Sequence, residues 1–146
     1  MGDQGDDPRP SSPPPSLAGA MCYIFDIVNM MPADIFGAFA NPTRLRILNL
    51  LLAEKEVCVC DLCDVLDALQ PKISRHLGVL KEAGLVDVRA DGKWKFYALA
   101  RPTTALHRRL IRCVGDCLGD VEELAADRRR LSKLESRVDC PAADPA

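Results

Sequence analysis

The sequence predicts a mainly α-helical α+β domain in which a helix-turn-helix is followed by a β-hairpin wing. Apolar residues recur at helical spacing between Asn41 and Gly84, and Pro42 and Pro71 each stand at a first-turn position. Further on, alternating apolar and polar residues flank Asp91-Gly92, a strong hairpin turn. A hairpin directly after two helices joined by a short turn is the organisation of a winged helix-turn-helix.

The first three helices follow from capping signals and apolar spacing. A short helix is expected from Asp34 to Ala40, and Asn41 then caps a second, central helix that runs to about Leu52. A third helix should run from about Cys60 to Leu69. Its expected core stripe consists of Leu62, Val65, Leu66 and Leu69.

The fourth helix and the wing carry basic, outward-facing side chains. Pro71 opens this helix and Gly84 closes it. Its inner stripe is Ile73, Leu77 and Leu80, while Lys72, Ser74, Arg75 and Gly78 face outward and His76 lies on the flank. The return strand of the hairpin, Lys93 to Leu99, places Trp94 and Phe96 on one face and Lys93 and Lys95 on the other.

A long terminal helix is predicted from about residue 102 to about residue 134. An apolar stripe along it is expected to pack against a second copy of the chain, which predicts a homodimer. The stripe consists of Leu106, Leu110, Cys113, Cys117, Val121, Leu124 and Leu131. Gly115 and Gly119 lie on the opposite side and weaken the helix.

Composition indicates one domain with loose ends. Residues 1–20 hold five of the eleven prolines and are expected to be disordered, 21–134 form the domain, and 135–146 form a loose tail. Either Met1 or Met21 could be the native start. No apolar run approaches the roughly 18 residues of a membrane span, so no membrane contact and a cytoplasmic location are expected. The net charge of −2 gives no sign of nucleic acid, but residues 70–95 hold six Lys or Arg against three acids.

Three thiols stand within six residues, at Cys58, Cys60 and Cys63. The chain has seven cysteines, an odd number that argues against full disulfide pairing, and thiolates select soft ions. A helix start should lower the thiol pKa, although Asp61 opposes this. Cys58 would point away from the other two on a continuous helix, so capture of all three sulfurs should distort the first turn of the third helix.

The motifs resemble those of the arsenic-repressor (ArsR/SmtB) family of winged-helix regulators. The resemblance rests on Cys-Val-Cys-Asp-Leu-Cys, Gln-Pro-Lys-Ile-Ser-Arg-His-Leu, Leu-Lys-Glu-Ala-Gly-Leu-Val and Asp-Gly-Lys-Trp-Lys-Phe-Tyr, and covers about residues 34–124. It implies a homodimeric repressor that is released from operator DNA by metal or metalloid. The Cys-x-Cys-x-x-Cys pattern is similar to that of the arsenite-sensing branch, which implies Cys58, Cys60 and Cys63 as ligands of As(III) or Sb(III).

The candidate DNA contacts are the outward side chains of the fourth helix and of the wing. They are Gln70, Lys72, Ser74, Arg75 and His76 on the helix, and Lys93 and Lys95 on the wing. A solvated basic face is the competing interpretation for the helix. His76 could equally be a partly buried structural residue, and Trp94 and Phe96 are expected to pack the wing against the body.

The remaining cysteines leave alternatives open. Cys113 and Cys117 could form a second metal site, but core packing is favoured because both lie in the apolar stripe. Cys22 could add a fourth thiolate, as in Cd(II)/Pb(II) sensors of the family, and Cys140 is expected to be exposed. A zinc site is poorly supported, since the chain has two histidines and His107 has no partner at ligand spacing.

Two rival functions concern the same thiols. An oxidation-sensing DNA-binding regulator would use them as redox groups. A thiol oxidoreductase could use Cys60-Asp61-Leu62-Cys63, but helices surround this motif and the βαβ context is missing. The expected protein is therefore not an enzyme and needs no catalytic cofactor.

Overall fold

The computed structural model describes residues 32–134, and the predictions for both tails, the native start, Cys22 and Cys140 lie outside these residues. Helices dominate the described part, and three short strands interrupt them. The elements are α1 (Pro32–Phe39), α2 (Pro42–Ala53), β1 (Val57–Cys58), α3 (Val59–Leu66), α4 (Gln70–Glu82), β2 (Val86–Asp91), β3 (Trp94–Leu99), α5 (Ala105–Cys117) and α6 (Glu122–Leu134). The predicted α+β class with a hairpin wing is confirmed.

The central helix α2 forms as its capping residues predict. The Asn41 side chain accepts a hydrogen bond from the backbone N–H of Arg44 at 3.2 Å, and Pro42 occupies the first turn. Ile47, Leu48 and Leu50 are completely buried, because α2 packs against helices on several sides. The helix-turn-helix and both terminal helices therefore pack against α2.

The helix-turn-helix consists of α3 and α4. Ile73, Leu77 and Leu80 are all fully buried, as predicted for the inner face of α4. The prediction that Leu69 belongs to the core of α3 is wrong, because its side chain is 80% exposed. Helix α3 already ends at Leu66, where Asp67 adopts a left-handed conformation with φ of 49° and turns the chain toward α4.

The wing is a hairpin of β2 and β3, and a third strand extends its sheet. The strand order is β1-β3-β2, and all pairings are antiparallel. The two-residue loop is Gly92-Lys93, one residue later than predicted, since Asp91 pairs with Trp94. Gly92 has φ of 57°, the left-handed conformation that favours glycine at the first position of such loops. Phe96 is buried and Trp94 is half-buried, which confirms their packing against the body.

The predicted continuous terminal helix is wrong. Helix α5 ends at Cys117, α6 begins at Glu122, and the predicted start at residue 102 falls before the observed start at Ala105. Arg128 Nη2 donates a hydrogen bond to the carbonyl of Gly119 at 3.0 Å, across the break. Two glycines within five residues make an uninterrupted helix unfavourable, so contacts with α2 decide the path of the chain.

These contacts dock α6 onto α2. Arg46 donates two hydrogen bonds to the Asp127 carboxylate, at 2.7 and 2.8 Å, and Asn49 Nδ2 donates to the carbonyl of Leu124 at 3.0 Å. Asp127 and Asn49 are both buried, so this polar network holds the two helices at a fixed angle and position.

Part of the predicted apolar stripe does not pack within this chain, and its packing against a second copy stays a prediction. The residues of α5 that this chain buries are His107, Ile111 and Val114, whereas Cys113 and Cys117 are exposed and are not part of its core. Val121 is 43% exposed, because it lies in the break. Leu124 and Leu131 are buried within this chain and not against a second copy, as was expected of the stripe. Within residues 32–134 we find no helix with the length and apolar character needed to cross a membrane.

Candidate functional site

The three clustered cysteines lie where a strand becomes a helix. Cys58 is the last residue of β1, is buried, and pairs with Phe96 of β3. Cys60 and Cys63 are half-buried on α3 and pack against the core. The prediction that these two thiols lie off the core stripe is confirmed. Cys58, in contrast, is part of the core. The cysteine trio (Cys58, Cys60 and Cys63) therefore contains one buried thiol and two partly accessible thiols.

The three thiols are close enough to influence one another. Burial raises the pKa of the Cys60 thiol, and the charge of Cys58 and a hydrogen bond with it raise that pKa further. The pKa of Cys63 is likewise raised, first by burial and then by Cys60. The lowering of the thiol pKa that was expected from the helix start is therefore outweighed, and the opposing effect of Asp61 on Cys60 is confirmed. Desolvation and the carboxylates of Asp61 and Asp64 outweigh the favourable field of the short helix.

The donor set of the trio fits a soft ion. Three sulfurs, with no imidazole beside them in the described part of the chain, match what thiophilic ions prefer over the donors of zinc or hard cations. Among the residues that the structure describes, however, no three His, Cys, Asp or Glu side chains are already arranged as a metal site. Binding at the trio would therefore require the three thiols to rearrange, and would release the protons that the raised pKa values retain.

Two structural connections lead from the trio to the rest of the domain. Helix α3 packs directly against α4 across the turn at Asp67. Strand β1 connects the trio with the wing, through the pairs of Val57 with Tyr97 and of Cys58 with Phe96. The second connection was not predicted, although the alternation in Val57-Cys58-Val59 is the one sequence signal that could have indicated a strand.

The exposed face of α4 carries four of the predicted DNA contacts. Gln70, Lys72, Ser74 and Arg75 are all exposed on its first two turns. The backbone N–H groups of this end are only partly used by the helix itself, and they add a positive potential. This end of α4 therefore combines charge, hydrogen-bonding groups and access in one place.

His76 lies at the side of this face and faces α2. Its Nδ1 is 3.5 Å from Nη1 of Arg44, and Arg44 also donates to the carbonyls of Ala38 and Gly37, both at 2.9 Å. Burial lowers the pKa of His76, and the charges of Arg44, Lys72 and Arg75 lower it further. His76 is thus half-buried with a lowered pKa, and Arg44, which sequence reasoning missed, fixes the position of α1 relative to α4.

The wing presents cations of two kinds. Lys93 and Lys95 are exposed, and the ammonium of Lys93 lies 5.2 Å from the centroid of the Trp94 ring. Arg89 is instead held on the sheet by two hydrogen bonds to Glu56, at 2.9 and 3.0 Å. Only part of the basic excess of residues 70–95 is therefore available to a ligand.

A cleft of about 320 Å³ separates α4 from the wing. It is lined on the helix side by Ser74 and Lys81 and on the strand side by Lys95 and Tyr97. Lys81 was not among the predicted contacts, since nothing in its spacing distinguishes it from a solvated lysine. Two lysines on opposite walls make the cleft suitable for an anionic backbone.

Comparisons with known proteins agree with this arrangement. Residues 41–88 match a family model described as bacterial regulatory protein, arsR family. Over 104 residues the chain is 41% identical to the arsenical resistance operon repressor of Escherichia coli. This match covers 71% of this chain and 87% of that relative. Over 65 residues it is 40% identical to the cadmium resistance transcriptional regulatory protein CadC of Listeria innocua. This second match covers 44% of this chain and 55% of that relative.

A solved structure shows the same fold. HlyU from Vibrio cholerae superposes with a TM-score of 0.51 and 30% sequence identity, and the match covers 58% of this chain and 88% of that one. The residues of this chain that match the family model, 41–88, run from the N-cap of α2 to the first strand of the wing. It therefore contains both the cysteine trio and the exposed face of α4.

Proposed function

Because the chain belongs to the ArsR family of bacterial regulatory proteins, we propose that it is a metalloid-responsive transcriptional repressor. It binds operator DNA as a homodimer and leaves the operator when As(III) or Sb(III) binds Cys58, Cys60 and Cys63. Membership of this family, predicted from the motifs and now confirmed, makes the chain a DNA-binding regulator. The thiol oxidoreductase alternative is thereby excluded.

The observation that carries the proposal is the position of the trio between the two DNA-contacting parts. Cys58 belongs to the sheet of the wing, and Cys63 belongs to the helix that supports α4. A change in the separation of these two thiols alters the position of the wing relative to α4, which is the proposed reading helix. The spacing of those two elements decides whether both can contact one DNA duplex.

Release of the DNA follows from the movement that binding one ion requires of the three thiols. A trivalent ion supplies three positions that thiolates can occupy. The chain must bring a sulfur on a strand and two sulfurs on a helix together, and it must give up their protons. Since Cys58 is held in the β1–β3 ladder, the closing motion is transmitted to β3 or unwinds the first turn of α3. A coupling free energy of about 1–3 kcal/mol weakens DNA binding about 5- to 150-fold.

DNA binding uses the exposed end of α4 in the major groove. Arg75 and Gln70 are suited to base edges, Lys72 and Ser74 to phosphates, and Lys93 and Lys95 of the wing to the neighbouring backbone. His76 is the least accessible of the proposed contacts, since it is half-buried beside Arg44. Its main contribution is to hold the flank of α4.

Homodimerisation places two reading helices on one operator. A single chain leaves large apolar side chains exposed, among them Phe36 of α1, Leu52 of α2 and Val121 before α6, and a second copy would cover such groups. Dimers of winged helices bind half-sites one helical turn apart, so a palindromic operator is expected.

A second candidate is a repressor that responds to Cd(II) or Pb(II). The similarity to the cadmium regulator CadC favours it, and Cys22 would then join the trio. A four-thiolate site suits these larger ions, whereas trivalent arsenic is satisfied by three. The identity of the effector therefore depends on whether Cys22 takes part.

One titration tests the proposal and its alternatives together. The operator-bound protein is titrated with arsenite, antimonite, Cd(II), Pb(II) and peroxide, and DNA release is followed by fluorescence anisotropy. We expect arsenite and antimonite to release the DNA. Release by Cd(II) that depends on Cys22 would favour the second candidate, release by peroxide alone would favour a redox sensor, and release by none would refute a thiol-based switch.

A further inference from the structure

A cleft of about 540 Å³ lies beside the turn that joins α3 to α4. Its walls come from α3, from the turn and from the end of α6. The lining residues are Cys63, Asp64, Asp67, Ala68, Leu69 and Leu134. None of them belongs to the proposed DNA contacts, and one of them is a thiol of the trio. A segment that occupied this cleft would therefore touch the candidate ion site without covering the exposed face of α4.

The cleft has an apolar wall that the described residues leave open. Leu69 is 80% exposed, the largest exposed fraction among the large apolar side chains of residues 32–134. It follows the half-buried Ala68, and Leu134 packs against the core beside the cleft. A single exposed leucine is ordinary on a protein surface, but on the wall of a cleft it can bury an apolar side chain of an occupant.

Two carboxylates make the same cleft acidic. Asp64 and Asp67 are both exposed on its wall. Among the residues that the structure describes, no cation forms an ion pair with either of them. Asp67 is the left-handed residue that ends α3, so the turn itself holds its side chain at this place. A complementary occupant therefore needs a cation next to an apolar side chain.

The chain leaves α6 at this cleft. Leu134 is the last residue of α6, and Arg130 Nη1 donates a hydrogen bond to the carbonyl of Val65 at 3.3 Å, which ties the end of α6 to α3. The sequence continues through residues 135–146. Within them Arg137 is the only cation, and its neighbour Val138 is the only large aliphatic residue. This C-terminal segment thus starts at the cleft and carries the two side chains that its walls require.

We propose that residues 135–146 dock in this cleft of their own chain, with Arg137 at the two carboxylates and Val138 on Leu69. The covalent connection through Leu134 gives the segment a local concentration on the order of millimolar, which favours it over any separate peptide. Docking covers the thiol of Cys63. Given the proposed function, in which Cys63 is a ligand of the effector, an arriving ion has to displace the docked segment.

Disulfide trapping tests the docking, with Cys140 of the segment as the reporter. Six residues span at most about 20 Å, so Cys140 can reach Cys63 from the end of α6. Oxidised glutathione accepts the two electrons as the disulfide forms, and a disulfide within one chain should migrate as a monomer on a non-reducing gel. The test protein is full length and keeps only these two thiols, by means of Cys22→Ser, Cys58→Ala, Cys60→Ser, Cys113→Ser and Cys117→Ser.

The matched variant adds Arg137→Glu, which keeps both thiols and the length of the connection. It places a third carboxylate at the acidic wall, so trapping should be about 3- to 10-fold less efficient at equilibrium with glutathione. Adding Asp64→Lys to Arg137→Glu exchanges the two charges and should restore trapping. Recovery of this kind separates docking on the wall from a general effect of either substitution.

Three results would overturn the docking. Equal trapping after Arg137→Glu would mean that the connection alone brings the thiols together, a disulfide only between two chains would place the segment on a second copy, and the absence of a disulfide would leave the cleft empty. Because the multiple variant could be unstable, wild-type protein gives a second measure. Its Cys63 should react with N-ethylmaleimide more slowly than Cys63 in Arg137→Glu, as followed by peptide mass spectrometry, and equal rates would contradict the docking.

The proposed arsenite response is measured separately. Operator-bound Arg137→Glu protein with all its cysteines should still be released by arsenite, because the segment covers the trio but supplies none of its three sulfurs. Loss of trapping with normal release would refute the docking alone. Normal trapping without arsenite-dependent release in the wild type would refute the proposed function and leave the docking intact.

Discussion

Cys58 pairs with Phe96 across the β1–β3 ladder, so the first thiol of the trio and the wing belong to one sheet. The other two thiols lie on α3, the helix that supports the reading helix. A binding event that brings all three sulfurs together therefore acts on both parts that are proposed to contact DNA.

Removing any thiol of the trio should leave DNA binding intact but abolish its weakening by arsenite. Cys60→Ser and Cys63→Ser should keep operator affinity, since both side chains lie away from the exposed face of α4, but arsenite should no longer weaken binding. Cys58→Ala, which suits a buried position, should behave in the same way. Anisotropy titrations with and without arsenite measure both quantities. Cys113→Ser is the control and should respond like the wild type.

Arg75→Ala should reduce sequence-specific binding. The exposed guanidinium is suited to a bidentate contact with guanine, and its loss should cost about 1–3 kcal/mol at the operator with much less effect on random DNA. Competition assays at fixed salt measure the ratio of the two affinities. Lys55→Ala, an exposed lysine between α2 and β1, should change neither. An equal loss on both DNAs would show that Arg75 contacts only phosphate.

Arg46→Ala should destabilise the junction between α2 and α6. It leaves the buried Asp127 carboxylate without its two hydrogen bonds, which should lower the free energy of unfolding by about 3 kcal/mol. Urea denaturation measures the change. The control is Arg129→Ala, because the pair of Arg129 with Glu122 is exposed and should contribute less than about 1 kcal/mol. Similar losses in both variants would contradict the assigned role.

His107 should make stability depend on pH. It is buried, neither ring nitrogen has a hydrogen-bond partner within the described structure, and burial lowers its pKa below the ordinary value of 6.5. Above that pH the ring is neutral in both states and has no effect. As pH falls below 6.5, the unfolded chain takes up a proton that the folded chain resists, so the free energy of unfolding decreases.

His107→Leu tests this directly. It removes two unpaired nitrogens from the core, so it should raise the free energy of unfolding by about 1 kcal/mol near pH 7 and by more at pH 5. Urea denaturation at the two pH values measures both changes. His76→Gln, at a half-buried site with a hydrogen-bond partner, is the comparison for a general effect of histidine. An identical pH profile in the wild type and His107→Leu would contradict the assignment.

Much of the fold could be predicted because local signals agree with it. Asn41 and Pro42 start α2 whatever surrounds them, and the fully buried Ile73, Leu77 and Leu80 follow from helical spacing alone. The path of the terminal helices could not be predicted, because it depends on the distant pair of Arg46 and Asp127.

The candidate site likewise has features that the sequence predicts and features that it does not. The composition of the trio and the exposed side chains of α4 could be read from residue type and spacing. The raised pKa values of Cys60 and Cys63 could not, since burial causes them. The pairing of strand β1 with the wing was also missed, because two residues are too few for a periodic signal and the partner β3 lies nearly 40 residues further along.

Trp94, the only tryptophan, starts the strand that pairs with Cys58 and offers the most direct measurement. Arsenite is titrated into the protein while Trp94 emission and operator release are recorded on matched samples. Both signals should change at the same arsenite concentration, and both changes should be lost in Cys58→Ala. Operator release without any change in Trp94 emission, in the free or the bound protein, would contradict transmission through the sheet.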